Sequence, residues 1–392
     1  MINIKNLKIR NKRVLIRVDY NIPIIKSKII NDFRLKSSFE TINYCLSQNC
    51  SIVLMSHLGR PKQKDDKYSL EPIIEYLEDN FNTYVHFSED CISEKSIKTS
   101  KEMLPKEIHL LENLRFYNEE ILNDQFFAAQ LAKHGSIYIN DAFGTAHREH
   151  ASNANVTKHF ATKGMGFLVE KEVKFLSENL SNPTKPLTLI IGGAKIDTKI
   201  AVIENFLGLA DNIIIGGAMA NTFMASMGRE VGLSLMEKDK IDTASMLINK
   251  ANRKKTKIIL PVDFTGELGK FGSGDICSAD ARNIPSEMIC EDIGVKSIDL
   301  FSKIISESET VLWNGTVGVA ENPNFATGTN RIVDAIMENE LTSIVGGGDT
   351  VAAIRNYNEE HINDFTHVST GGGSCLEMLS GNKLPALEML KK

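Results

Sequence analysis

Cysteine is sparse in this 392-residue chain. Its six cysteines, Cys45, Cys50, Cys91, Cys277, Cys290 and Cys375, form no CxxC pair and no metal-ligand spacing. That pattern argues against a disulfide framework or a zinc site, and reads as reduced thiols in a cytoplasmic protein. No apolar run approaches the ~18 residues of a membrane span, so no membrane partner is expected. The opening MINIKNLKIRNKR lacks the apolar core and small-residue cleavage site of a secretory signal. Several catalytic signatures are missing as well. There is no GxxxxGK[ST] loop, no HRD or DFG set and no GxSxG elbow, which sets aside P-loop, protein-kinase and serine-hydrolase chemistry. A nicotinamide oxidoreductase would want GxGxxG with an acidic residue about twenty positions on, and no convincing set occurs.

What is present fits a globular chain of 42% hydrophobic and 24% charged residues. Its length implies two domains. The net charge of −5 argues against a nucleic-acid partner. The charge is unevenly spread, however. Residues 1–60 hold eleven Lys/Arg against three Asp/Glu, a balance of +8 that leaves −13 for the remainder. Within the first 150 residues, Arg17, Arg34, His57, Arg60, Arg115, His147 and Arg148 lie in or beside polar turns. The second half carries glycine clusters instead: GGAK at 192–195, GGA at 216–218, GGGDT at 346–350 and TGGGS at 370–374. Arginine forks suit a small, multiply charged anion, whereas glycine turns before helices let backbone amides reach phosphates. Two phosphorylated ligands, one per half, are therefore expected.

Short β-rich runs alternate with helical patterns throughout. VLIRV (14–18), SIVLM (51–55), TYVHF (83–87), IHLL (108–111) and SIYIN (136–140) read as strands, with helices near 35–49, 70–80 and 124–134. LTLII (187–191), NIII (212–215), KIIL (257–260), TVLW (310–313), LTSIV (341–345) and THVS (366–369) continue the scheme. The repetition predicts an α/β protein of two doubly wound, parallel-sheet, Rossmann-like domains. A helix over 168–180, with Val169, Val173, Leu176 and Leu180 at helical spacing, precedes NPTKP (182–186). Two prolines stop that helix and stiffen the junction. The expected division is 1–168, a connecting helix and hinge over 169–186, 187–370, and a terminal segment 371–392.

In open parallel sheets, ligands collect at the carboxyl ends of strands. Asp19, Asn21 and Pro23 follow the first strand, and His57, Gly59, Arg60 and Pro61 the second. Glu112, Asn113 and Arg115 follow IHLL; Asp141 and the His147–Arg148–Glu149 triplet follow SIYIN. Four such turns at one sheet edge, three of them bearing Arg or His, make a binding site a better reading than four helix starts. In the second half, Asp349 either caps the helix after GGG or holds Mg²⁺ beside a phosphate chain. Lys195 and Lys199 follow the first Gly-Gly turn, and would share a face if a helix began by residue 195.

The segments RVDYNIP, SHLGRP, LLENLRFY, INDAFGTAHREHAS, GGAKIDTKI, PVDF, WNGTVGVAE, GGGDT and HVSTGGGS occur in the order found in phosphoglycerate kinases. The chain resembles that family over nearly its whole length. The resemblance implies a monomeric two-lobed hinge enzyme with 3-phosphoglycerate or 1,3-bisphosphoglycerate on the N-terminal lobe and Mg²⁺ with ADP or ATP on the other. It also implies that the last residues return to the N-terminal lobe. By the same resemblance, Asp19, Asn21, Arg34, His57, Arg60, Arg115 and Arg148 bind the glycerate. Gly193, Ala194, Lys195, Lys199 and Asn314 face the nucleotide, Glu321 takes the ribose, and Gly346–Gly348, Asp349 and Thr350 receive phosphates, Asp349 near the metal. Arg34, Lys199 and Gly371, Gly372 and Gly373 would act on the transferring group. The chain departs from the family at Thr316 (usually Pro), Ala320 (usually Phe), Ala218 (commonly Gly) and the TGELGKFGSG segment after PVDF. These departures gather on the adenosine side and leave ADP versus GDP open.

The implied reaction moves the acyl phosphate of 1,3-bisphosphoglycerate to ADP. Both nucleophiles, a carboxylate in one direction and a phosphate oxygen in the other, are already anionic near pH 7, so no general base is required. The task is to align anions and offset their repulsion. A non-catalytic phosphometabolite sensor would need the arginines but not Lys195, Lys199 and Asp349.

Overall fold

Strand and helix alternate along the chain because each apolar run is too short for a helix and is followed by an amphipathic stretch that covers it. A computed structural model describes residues 1–391; the side chains of residues 178–180, and with them the expected core position Leu180, lie outside the described set. Two compact units result, Met1–Phe175 joined by the chain from Lys383 onward, and Leu176–Asn382.

The first unit holds β1 (Arg13–Val18), a two-strand hairpin of β2 (Ile24–Ile25) and β3 (Lys28–Ile29), then β4 (Ser51–Met55), β5 (Val85–Ser88), β6 (Ile108–Leu111), β7 (Ile137–Asp141) and β8 (Lys163–Met165). Its main sheet is parallel throughout, in the order β5-β6-β4-β1-β7-β8. Val14, Ile16 and Val18 lie in one apolar cluster with Ile52, Leu54, Ile108 and Leu110, while Leu15 and Val53 are buried as well. Both faces are thus covered, the burial a parallel sheet requires. The chain leaves β1 toward β4 and later returns to its other side as β7, so a topological switch point lies at β1.

The second unit holds β9 (Leu187–Ile191), β10 (Asn212–Ile215), β11 (Lys257–Ile259), β12 (Asp263–Leu268), β13 (Ile276–Asp280), β14 (Met288–Ile293), β15 (Thr310–Asn314), β16 (Thr342–Gly346) and β17 (His367–Val368). The parallel sheet runs β11-β10-β9-β15-β16-β17, with its switch point between β9 and β15. Asn314 is in register with Ile191 on one side and Gly346 on the other, so three strands end together there. A separate antiparallel sheet, β13-β12-β14, is an element the sequence reading did not foresee. Gly266, Gly269, Gly272 and Gly274, with charged residues between, interrupt the apolar periodicity of that stretch.

The helix Phe167–Ser181 forms where the spacing predicts it, with Val169 and Leu176 buried. The division between units falls inside this helix, at Phe175/Leu176, rather than on either side of a 169–186 connector. The terminal boundary also lies later than residue 371. The helix Gly372–Leu379 packs on the helix Ile200–Phe206 and on β16, so it belongs to the second unit. The helix Pro385–Lys391 packs instead on β8 and on the turn Asn155–His159, and Ala386 N–H donates to Ala146 O at 3.1 Å.

Candidate functional site

In the first unit the polar turns converge at the carboxyl ends of β1, β4, β6 and β7. Asp19, buried just after β1, lies 3.5 Å from Arg34 Nη1 and 3.8 Å from His57 Nδ1. Arg34 Nη1 also donates to Asn21 O at 2.8 Å, and the Asn21 amide oxygen accepts from Gly59 N–H at 2.8 Å. Arg17 Nη2 donates to His57 Nδ1 at 3.3 Å. Burial, then the charges of Arg17, Arg115, Arg148 and Arg34, hold the His57 imidazole well below its ordinary pKa, so it stays neutral. Arg115 is buried, with a buried Nε that no described residue accepts. Burial and the neighbouring Arg148 and Arg17 push its pKa down to about 10. Arg148 is half-buried and Arg60 exposed. Arg17, Arg34, Arg115 and Arg148 bear on His57, and Arg60 on Arg148, which makes a strongly cationic cluster suited to a multiply charged anion.

Three residues of these turns serve the backbone instead. Glu112 accepts from Leu70 N–H at 2.9 Å, Asn113 N–H at 2.7 Å and Ser69 Oγ–H at 2.8 Å. Asn113 bridges Leu58 and Arg115. Asp141 accepts from Val169 N–H at 3.2 Å and anchors the start of the helix Phe167–Ser181. Arg17, in turn, donates to Ser152 Oγ at 2.8 Å, whose hydroxyl is 2.6 Å from the buried Glu120.

In the second unit a hollow of about 450 Å³ opens at the switch point. Gly193, Ala194, Lys195, Lys199, Asn314, Gly347, Gly348, Asp349, Thr350 and Gly372 line it, together with Gly192, Thr198, Gly315, Thr316 and Leu376. The turns meet closely: Gly192 N–H donates to Asn314 O at 3.1 Å, and Gly193 N–H to Thr316 O at 2.9 Å. A Cβ on Gly192 would strike Thr316 O and lie 2.7 Å from Gly315 O, so only glycine permits this crossing. Gly347, with φ of 99°, turns β16 into the helix Gly348–Tyr357. That helix and the one beginning at Gly372 present N-terminal amides to an anion. Glu321, exposed, and Gly346, Gly371 and Gly373 are not part of the hollow's wall.

The two lysines do not share a helix, because that helix begins at Ile200, after both. Lys195 is exposed, whereas Lys199 is buried and donates through Nζ to Asn314 Oδ1. Burial lowers the Lys199 ammonium to about 8, against the opposing pull of Cys375 and Asp349. The Asn314 amide nitrogen is buried with no described acceptor. Asp349 is not the helix cap; Gly347 is, and the Asp349 carboxyl stands exposed in the first turn. Among the described residues no group of three His, Cys, Asp or Glu could hold a metal by itself. A single carboxyl beside a hollow lined by glycine turns would fit Mg²⁺, an ion that keeps several waters and needs few protein ligands.

The family profile described as phosphoglycerate kinase matches residues 4–382. The chain belongs to the phosphoglycerate kinase family. It is 43% identical over 391 residues to the phosphoglycerate kinase of Finegoldia magna, covering 99% of this chain and 98% of that one. Identity to the Elusimicrobium minutum phosphoglycerate kinase is 42% over 393 residues, with 99% and 98% covered. Among solved structures, phosphoglycerate kinase from Coxiella burnetii superposes with a TM-score of 0.89 at 35% identity, covering 100% of this chain and 98% of that one. The enzyme from Pyrococcus horikoshii OT3 does so with 0.87 at 30%, at the same coverage. Phosphoglycerate kinases reversibly transfer the acyl phosphate of 1,3-bisphosphoglycerate to ADP, giving 3-phosphoglycerate and ATP. The chain is accordingly a glycolytic kinase, a transferase with a carboxyl group as acceptor. No described helix is long and apolar enough to cross a membrane.

Proposed function

We propose that the two sites divide the substrates. The arginine cluster of the first unit binds 3-phosphoglycerate through Asp19, Asn21, Arg34, His57, Arg60, Arg115 and Arg148. The hollow of the second unit binds ADP or ATP through Gly193, Ala194, Lys195, Lys199, Asn314 and Gly346–Thr350, with Glu321 on the ribose. The observation that carries this division is chemical. One unit gathers guanidiniums at its sheet edge, and the other gathers glycine amides, a helix start and one buried ammonium, Lys199. Guanidinium forks match a carboxylate and a phosphate together, whereas amides and a lysine match a polyphosphate chain.

Asp349 would hold Mg²⁺, which when bound neutralises charge on the nucleotide phosphates. Arg34 and Lys199 stabilise the transferring group, and the Gly371–Gly373 amides add oriented dipoles at no cost of reorganisation. No residue need remove a proton, which agrees with a His57 held neutral by the arginines around it. Transfer is direct and in line. Because its two ligands belong to different units, it follows closure that brings them together and expels water. The enzyme works as a cytoplasmic monomer without nucleic-acid or membrane partners, a reading supported by its scattered cysteines and its acidic net charge.

Arg34 separates this account from one in which the arginines only bind. In Arg34→Ala, kcat is expected to fall by about 10³-fold or more while affinity for 3-phosphoglycerate changes little, as for other arginines acting on phosphoryl transfer. A near-normal kcat with a raised KM would contradict the role.

A further inference from the structure

One acidic side chain of the second unit is used by neither the fold nor the phosphate hollow. Glu291 on β14 is 5% exposed, both its carboxyl oxygens are buried, and no described residue donates a hydrogen bond to either. A buried carboxylate without donors is strongly disfavoured. Burial, and then the like charge of Glu267 on neighbouring β12, push this group up to about 7. Glu267 itself is satisfied, accepting from the amides of Gly272, Ser273 and Gly274. Both Glu291 oxygens are thus left without a protein donor, and a bound molecule with two donors would complete them.

The loop after β15 connects this group to the hollow. Asn314, Gly315 and Thr316 line the phosphate hollow, and Val317 O accepts from Gly217 N–H at 2.9 Å. Gly318 packs against the Asp292 carboxyl, and Val319 N–H donates to Glu291 O at 2.8 Å. Two residues later the loop reaches Glu321, the residue given the ribose above. The loop from Asn314 to Glu321 thus runs from the wall of the hollow to the backbone of β14 at Glu291, and the proposal places the base of a nucleotide on this side of the loop.

We propose that Glu291 selects the base of the nucleotide, and that it selects guanine over adenine. The inference rests on the nucleotide-site reading of the hollow. Guanine presents N1–H and its 2-amino group side by side, two donors spaced for the two oxygens of one carboxylate. Adenine presents its 6-amino group next to N1, whose lone pair opposes the ionised carboxylate and suits only the protonated acid, so the preference for guanine belongs to the ionised form and should grow as pH rises past about 7. A site built to accept two hydrogen bonds rejects a ligand that supplies one and opposes the other. Glu267, which crowds Glu291, lies in the TGELGKFGSG segment where the chain departs from its family.

Initial rates of phosphoryl transfer from 1,3-bisphosphoglycerate to GDP, IDP and ADP test the proposal directly. IDP keeps N1–H but lacks the 2-amino group. The wild-type enzyme is expected to rank kcat/KM as GDP, then IDP, then ADP, with at least about tenfold between the first and last. Glu291→Leu and Glu291→Gln should each shrink that ratio by raising the KM for GDP, with the KM for 1,3-bisphosphoglycerate unchanged. Equal use of the three nucleotides, a preference for ADP, or a GDP preference intact in both variants would overturn it. If neither variant folds, as judged by circular dichroism, the wild-type ranking alone decides. Absence of transfer to every nucleotide would instead strike the nucleotide-site reading, and this inference would fall with it.

Discussion

Lys199 shows how burial tunes a single side chain for its task. An exposed lysine near a phosphate is a solvated charge, but this one is buried with its ammonium on Asn314, and burial lowers its pKa to about 8. Its charge is therefore present below about pH 8 and lost above it. If the ammonium meets the nucleotide and the transferring group, kcat/KM should decline as pH rises through 8, and Lys199→Arg should move that decline upward, since a guanidinium stays charged beyond pH ~12. A wild-type profile flat from pH 7 to 9.5 would remove Lys199 from that role. Residue type and spacing in GGAKIDTK pointed to a cation at this turn, but not to which lysine is buried. That distinction arises because the helix starts at Ile200, leaving Lys195 in the exposed turn. Glu291 was missed for a related reason. It lies on β14, a strand the sequence reading did not foresee, and nothing in the sequence tells which way one glutamate faces or that its oxygens lack donors.

Elements of the first unit are joined by a hydrogen-bonded histidine network outside the arginine cluster. Ser100 Oγ, on the helix Glu94–Glu102, lies 2.7 Å from His109 Nδ1 and 2.6 Å from His134 Nδ1. His134 Nε2 is 2.9 Å from Cys91 O, which can only accept, so its proton lies there and its Nδ1 accepts from Ser100. His109 must then donate to Ser100 through Nδ1 and accept from Ser88 Oγ–H, at 2.8 Å, through Nε2. Both rings are neutral, with opposite tautomers. Burial pushes His109 down to about 3 and His134 to about 4. In the unfolded chain both titrate near 6.5, so below that pH the unfolded state binds more protons and the network's contribution is lost as pH falls. From pH 7 to 5 each ring should withdraw roughly 2 kcal/mol of stability. Asp141, raised to about 7 by burial, titrates in the opposite sense, so a His109→Gln/His134→Gln variant is the proper reference. Denaturant unfolding at both pH values should show the wild type losing roughly 4 kcal/mol more than the variant; parallel losses would contradict the neutral network. The strands of this unit were legible because buried parallel strands are continuous apolar runs. The sheet β13-β12-β14 was not, since β13 is largely uncovered, glycines interrupt β12 and the turn after it, and its strands are defined by pairing partners rather than by local periodicity.

For the whole molecule, the sequence asymmetry between arginines and glycines becomes two sites at the carboxyl ends of two parallel sheets. On the proposed division of substrates neither site suffices alone, because phosphoryl transfer then passes from a ligand of one unit to a ligand of the other. The radius of gyration from solution scattering should therefore be smaller with both 3-phosphoglycerate and a non-hydrolysable Mg-nucleotide present than with either alone. An unchanged radius would count against closure. The central claim is more direct still: the purified protein moves the acyl phosphate to a nucleoside diphosphate and not to water. Incubating it with 1,3-bisphosphoglycerate, Mg²⁺ and either ADP or GDP, and measuring nucleoside triphosphate and 3-phosphoglycerate together, tests this. The account predicts that the two products appear in equal amounts at a rate abolished by Lys199→Ala; 3-phosphoglycerate released without the triphosphate, or no turnover at all, would contradict it.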